Sequence, residues 1–305
     1  MTTLRAHLAC VLVVCIWSGW ITISRYGVHS SLQPADITLL RYATALIFVS
    51  PLILRHRWSK FSLHQYLLVG LGVGFPYTMA SFYGLHELKA AHAGVLVNGM
   101  LPVFGAIAAW FVLSQTVSRM RYIGIAIVFV ANFIMTGGDT FSAAHIGGIF
   151  LLLSAAIFYT LHMVCLKLWH FEWKDVIVAV PVVNVLIFLP LWFVFPTNLF
   201  QANPIDILSQ AFYQGIIVNI LALMCATYAI KHLGTITVSI YMSVVPVTTA
   251  LLAWIVLGEG LNNFELAGIA GCSIGLFIYS QSQVIESRRL SEKALLPKLF
   301  GIYKK

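Results

Sequence analysis

The chain has 305 residues, 60% of them hydrophobic and only 9% charged, with a mean hydropathy of +0.91 and a formal net charge of +8. Soluble domains carry about 25% charged residues, so this composition excludes a body covered by water-facing side chains and makes lipid the solvent. The positive charge falls between apolar runs rather than on a basic face, which argues against nucleic acid as a partner and marks these residues as topology signals.

A membrane span needs about 20 apolar residues. Ten such runs follow in order, at roughly 6–24, 36–54, 65–83, 91–113, 121–137, 146–167, 176–195, 208–230, 235–257 and 264–284. The first begins after Arg5 and resembles a signal peptide, but no small-residue cleavage site follows, so it is read as a span. Backbone polar groups in lipid must be satisfied within the chain, so each run is expected to be helical. Cys10, Cys15, Cys165, Cys225 and Cys272 all fall inside these runs and read as buried thiols, not as a disulfide framework or a metal site.

Most lysines and arginines collect on one side of this arrangement: Arg5, Arg55, Arg57, Lys60, Arg119, Arg121, Lys167, Lys174, Lys231 and the tail from Arg288. The other side receives only Arg25 and Lys89. The positive-inside rule then places both termini in the cytoplasm, in a bacterial-type inner membrane. The basic tail, 285–305, can lie on the anionic inner leaflet or remain solvated.

The stretch PVFGAIAAWFVL at Pro102–Leu113 returns as PVTTALLAWIVL at Pro246–Leu257, an offset of 144. At the same offset Gly124 meets Gly268; after a one-residue slip Tyr83 meets Tyr228 and Leu88 meets Leu233. Two homologous halves follow, 1–139 and 140–284. Each holds five spans, an odd number, so the second copy enters the membrane from the opposite side. The expected fold is an all-α integral membrane protein of ten helices in two inverted-topology repeats. That is the architecture of many secondary transporters, in which the halves rock about a central site. A duplicated scaffold that moves nothing is the alternative.

Gly70, Gly72 and Gly74 in the third span suit close helix contact, with a bend as the alternative. Pro102 and Pro246 sit at matching places and are expected to act as symmetry-related hinges.

No HExxH, CxxC, Gly-x-Ser-x-Gly or Walker A sequence occurs, so the chain reads as neither an enzyme nor an ATPase, with no cofactor and no metal. Polar side chains inside spans are costly and default to function. Arg41 could hold a carboxylate or phosphate of a cargo molecule; it could also snorkel, or pair with Asp36 or Glu87. His162 lies three residues beyond Tyr159, so both can face one cavity. It could carry a coupling proton or be a hydrogen-bonded packing residue. His92 and Glu87 are weaker proton candidates. Asn98, Asn132, Asn184 and Asn219 could bind cargo or bridge helices. Trp17, Tyr77, Tyr159 and Tyr241 are far enough from helix ends to line a cavity, whereas Trp20, Trp58, Trp169, Trp173 and Trp192 fit the interfacial belts.

The run Phe82-Tyr83-Gly84-Leu85, the small residues Ala90–Gly94, the Pro102 block and Gly124 resemble the repeat unit of the EamA family of the drug/metabolite transporter superfamily. In the second half Tyr228-Ala229-Ile230, Pro246, Leu257-Gly258-Glu259 and Gly268 resemble it more closely; the first half has Ser114-Gln115 in place of the Gly-Glu pair. The resemblance implies a cavity lined by spans 1–4 and 6–9, with spans 5 and 10 peripheral, and export or exchange of small metabolites such as amino acids and their derivatives. It favours Trp17, Arg41, Tyr77, Asn98, Tyr159, His162, Asn184 and Tyr241 as cargo-binding residues and removes Asn132. The expected partners are a small-molecule substrate, membrane lipid and, through His162, a coupling proton. An exchanger of nucleotides or sugar phosphates is the competing expectation, and it would need more cations than Arg41 alone.

Overall fold

A computed structural model describes residues 2–111, 118–136 and 143–299. The expected half boundary at 139/140, Ser114-Gln115, Leu113, Asp139, Lys304 and Lys305 lie outside these residues. The described chain is helical throughout, with no strand among the described residues. In order the helices are α1 Thr2–Val28, α2 Pro34–Ile53, α3 Leu63–Gly72, α4 Phe75–Glu87, α5 Ala90–Ala93, α6 Met100–Phe111, α7 Arg119–Thr136, α8 Ala143–Trp169, α9 Trp173–Trp192, α10 Pro204–Gln210, α11 Leu223–Met242, α12 Val245–Leu257 and α13 Asn263–Leu299. Two π-helical stretches, Gly94–Gly99 and Ala211–Ala222, join α5 to α6 and α10 to α11.

Nine segments among the described residues are long and apolar enough to cross a membrane; α7 occupies the remaining expected position, that of the fifth span. The chain is an all-α, multi-pass membrane protein. The expected tail from 285 begins inside α13, which continues to Leu299.

Local chemistry sets the boundaries. Pro34 opens α2 behind a Gln33–Asp36 capping box, and Ser62–Gln65 and Glu172–Asp175 do the same for α3 and α9. Gly258 closes α12 in the left-handed region at φ 68°, where a side chain would be strained. Gly234, at φ 82°, is the kink that divides the α11 segment.

The third span is broken between Gly72 and Phe75, and the glycines there serve both expected purposes. They allow contact, since a Cβ on Gly72 would lie 2.9 Å from the His162 backbone nitrogen. They also adjoin the break. Pro76 restarts the helix at a position where its missing N–H costs nothing. Pro102 lies in the first turn of α6, directly after a π-helical stretch, and Pro246 opens α12 after the Ser243–Val244 turn. Both prolines therefore follow an irregular stretch instead of kinking a regular one.

The halves meet reciprocally. A Cβ on Gly275 would lie 2.8 Å from the Gly124 carbonyl oxygen, and one on Gly268 would lie 3.0 Å from that of Ala131. The 144-residue offset carries Gly124 to Gly268 and Ala131 to Gly275. Each of these α7–α13 contacts is thus the image of the other, as about a pseudo-two-fold axis.

Candidate functional site

A cavity of about 140 Å³ lies between α1, α2, α4, α8, α9 and the irregular stretches. Trp17, Arg41, Tyr77, Asn98, Tyr159 and His162 all line it. No lining residue comes from α7 or α13, the fifth and tenth spans.

Arg41, on α2, is 4% exposed. Its Nη1 donates to Gln214 Oε1 at 2.8 Å, while its Nε is buried without a partner. Its guanidinium carbon stands 5.7 Å from the ring centres of Trp20 and Tyr42. It does not snorkel, and among the described residues it pairs with no carboxylate. Asp36, a partner considered from the sequence, is taken by Trp192 Nε1, Thr197 Oγ1 and the Asn198 amide. Among the lining residues Arg41 is the one lysine or arginine, and none is Asp or Glu. A cation in a low-dielectric site without an anion close by is costly.

Rings line one wall. Trp20 stacks on Tyr77 with centroids 5.6 Å apart, Tyr77 tilts against Tyr159 at 5.6 Å, and Tyr159 meets His162 at 6.0 Å. His162 sits beside the Val69 carbonyl at 2.8 Å through Nδ1. A carbonyl only accepts, so Nδ1 carries the proton and Nε2 is left as an acceptor.

Two expected site residues lie elsewhere. Asn184 is fully buried: its Nδ2 donates to the Gly70 and Val180 carbonyls at 2.9 and 2.8 Å, and its Oδ1 accepts from the Phe75 amide at 2.6 Å. It splints the break between α3 and α4, satisfying groups that a continuous helix would have paired. Tyr241 is outside the cavity, where its hydroxyl meets His7 Nδ1 at 2.9 Å.

The reverse correction applies to Trp20. It is 7% exposed, lines the cavity and donates to Gln214 Oε1 at 2.8 Å, so it does not belong to an interfacial belt. Trp192 is also buried, on Asp36. Asn219, for which cargo binding and helix bridging were both open from the sequence, lines the cavity and also donates to the Gln214 carbonyl at 2.9 Å.

Ion pairs join the halves at both ends. At one end Arg25 pairs with Glu259 at 2.8 Å and Lys89 with Glu265 at 2.9 Å, so both cations assigned to the outer side meet acids of the second half. At the other end Lys60 pairs with Asp175 at 2.7 Å. The cavity lining reaches Val49, Val176 and Ile177, toward the Lys60 end.

The model of the EamA-like transporter family matches residues 4–137 and again 146–281. The chain belongs to the EamA-like transporter family. Its EamA-like sequence is also similar to an uncharacterized transporter of Archaeoglobus fulgidus, 22% identical over 297 residues, covering 92% of this chain and 98% of that protein. A protein of known crystal structure shares the fold at a TM-score of 0.60 and 15% identity, over 91% of this chain and 96% of its own. The cavity therefore belongs to a membrane transporter of the drug/metabolite type.

Proposed function

We propose that this EamA-like protein carries a small metabolite with a carboxylate, an amino acid or a close derivative, by alternating access. The observation that carries the reading is Arg41: a buried guanidinium, without an acid beside it, whose Nε has no partner. A cargo carboxylate supplies both the missing charge and the missing acceptor. The ring wall of Trp20, Tyr77 and Tyr159 covers the apolar part, and Asn98 and Asn219 set orientation.

The two halves, read as inverted copies, rock about this cavity. The Arg25–Glu259 and Lys89–Glu265 pairs part to open one end, and Lys60–Asp175 parts to open the other. Pro102 and Pro246 are the proposed hinges. The protein lies in the plasma membrane with both termini in the cytoplasm, and His162 Nε2 is the group available to a coupling proton.

A nucleotide or sugar phosphate is the weaker cargo. One cation cannot neutralise it, and 140 Å³ is below the ~300–1,000 Å³ typical of drug-sized sites.

Purified protein in liposomes, offered radiolabelled amino acids and nucleotides with and without a pH gradient, tests the reading. Saturable uptake of at least one carboxylate, lost in Arg41→Met, is expected. No saturable flux of any compound, or flux of nucleotides alone, overturns it.

A further inference from the structure

Gln214 is fully buried and its carboxamide is saturated. Oε1 accepts from Arg41 Nη1 and Trp20 Nε1, both at 2.8 Å. Nε2 donates to Ser24 Oγ at 3.0 Å and to Gln210 Oε1 at 3.2 Å. Two donors on one side fix which end of the amide faces the guanidinium. The residue sits on the π-helical stretch Ala211–Ala222 and ties it to α1 and α2 in one contact set.

This is the position from which a protein carboxylate would neutralise Arg41. Glutamate has nearly the same shape as glutamine and would form a buried ion pair there at hydrogen-bond distance. The chain places a neutral oxygen instead. Arg41 is thereby held through Nη1, its Nε is left unengaged, and its charge stays uncompensated by the protein.

We propose that Gln214 determines the charge selectivity of the cavity: it positions Arg41 without neutralising it, so the cavity accepts a monoanionic carboxylate and discriminates against the isosteric neutral amide. The inference rests on Arg41 being the cargo's anchor and adds the residue that keeps that anchor available.

The test uses the full chain with matched probes, benzoate against benzamide and L-phenylalanine against L-phenylalaninamide, read by ligand-induced melting shift and by labelled uptake. In the wild type at least one acid binds and its amide does not. In Gln214→Glu the internal carboxylate neutralises Arg41 and repels the cargo, so acid affinity falls about a hundredfold and the acid-over-amide preference is lost or reversed. Gln214→Met withdraws the positioning bond without adding charge. Acid affinity then falls about tenfold while the preference survives. A Gln214→Glu protein that keeps the wild-type acid-over-amide ratio within about threefold overturns the proposal. If Gln214→Glu does not fold, unchanged acid affinity in Gln214→Met overturns it. If no carboxylate binds or enters with the wild type, the carboxylate reading itself fails, and the two failures are told apart by that control.

Discussion

Arg41→Met separates function from stability, because the two are expected to move in opposite directions. The side chain is 4% exposed and stands between Gln214, Trp20 and Tyr42. Removing it forfeits one hydrogen bond to a charged group, about 1.5–3 kcal/mol, and two cation–π contacts near the distance limit, about 0.5 kcal/mol each. It relieves an unpartnered buried Nε, about 1–3 kcal/mol, and the burial of a charge without an anion, a further several kcal/mol. Methionine fills similar space without a polar atom, and Gln214 Oε1 keeps its bond from Trp20. The balance favours the variant by about 1–2 kcal/mol in the empty carrier, a rise of about 2–4 °C in melting temperature. Two charge-assisted bonds to the cargo disappear at the same time, so uptake at subsaturating cargo falls about a hundredfold or more. Melting curves in detergent with and without cargo, together with liposome uptake, measure both. A variant that melts lower and still transports at the wild-type rate would show that Arg41 is structural.

Asn184→Leu leaves the Gly70 carbonyl and the Phe75 amide unpaired at the break in the third span. A loss of about 2–4 kcal/mol is expected in denaturant unfolding, and a shift under about 0.5 kcal/mol would remove the splint role. Gly72→Ala puts a Cβ 2.9 Å from the His162 backbone, which cannot turn away as a side chain can. Destabilisation of about 1–3 kcal/mol is expected, along with weaker cargo binding, since α3 must move off the helix that carries His162. His29 Nε2 meets Arg25 Nη1, and its ring stacks on His86 at 5.0 Å. Burial, then the positive charge of Arg25, holds its pKa below the usual 6.5. As pH falls below about 6.5 the unfolded chain takes up this proton before the folded one does. Stability conferred by the neutral ring is therefore full above about 6.5 and declines until pH passes the lower folded value. Unfolding midpoints between pH 7.5 and 5 should show this decline and lose part of it in His29→Gln; an unchanged slope refutes the assignment.

The elements most legible in the sequence were those that a repeat or a period reports. Pro102 and Pro246 announced the duplication, and Gly124 and Gly268 were visible before their reciprocal contacts were. Arg41, Tyr77, Asn98, Tyr159 and His162 stood out as polar or aromatic groups at membrane depth, and they share one cavity. Trp20 was misjudged because the first span was expected to end at 24; α1 runs to Val28, which carries Trp20 away from the boundary. Gln210 and Gln214 did carry a signal, two amides four residues apart and so on one helix face inside an apolar run. Asn184 was over-read for the converse reason. A polar group in a span may serve a ligand or an interrupted backbone, and only the position of the break distinguishes them. The π-helical stretches have no residue signature and depend on packing, so nothing local could have disclosed them.

Those irregular stretches obey the repeat. Upstream of the one-residue slip the offset is 145, and it carries Gly74, at the break in the third span, to Asn219 inside the second π-helical stretch. The offset of 144 carries Gly99, the end of the first π-helical stretch, to Ser243 at the turn before α12. Corresponding spans are thus interrupted at corresponding depths, although one copy breaks where the other widens. Irregular backbone is tolerated in hydrocarbon only where protein covers it or it borders a cavity, and Val73, Val97, Asn98, Val218 and Asn219 all line this one. The deformable parts of both halves therefore converge on the same chamber as Arg41. Gln214 grips that arginine from a π-helical stretch, a geometry frequent at functional sites. In the proposed cycle this joins the cargo's charge to the backbone that must bend: an anion that takes up the guanidinium changes the load on a side chain that ties both α1 and α2 to that stretch.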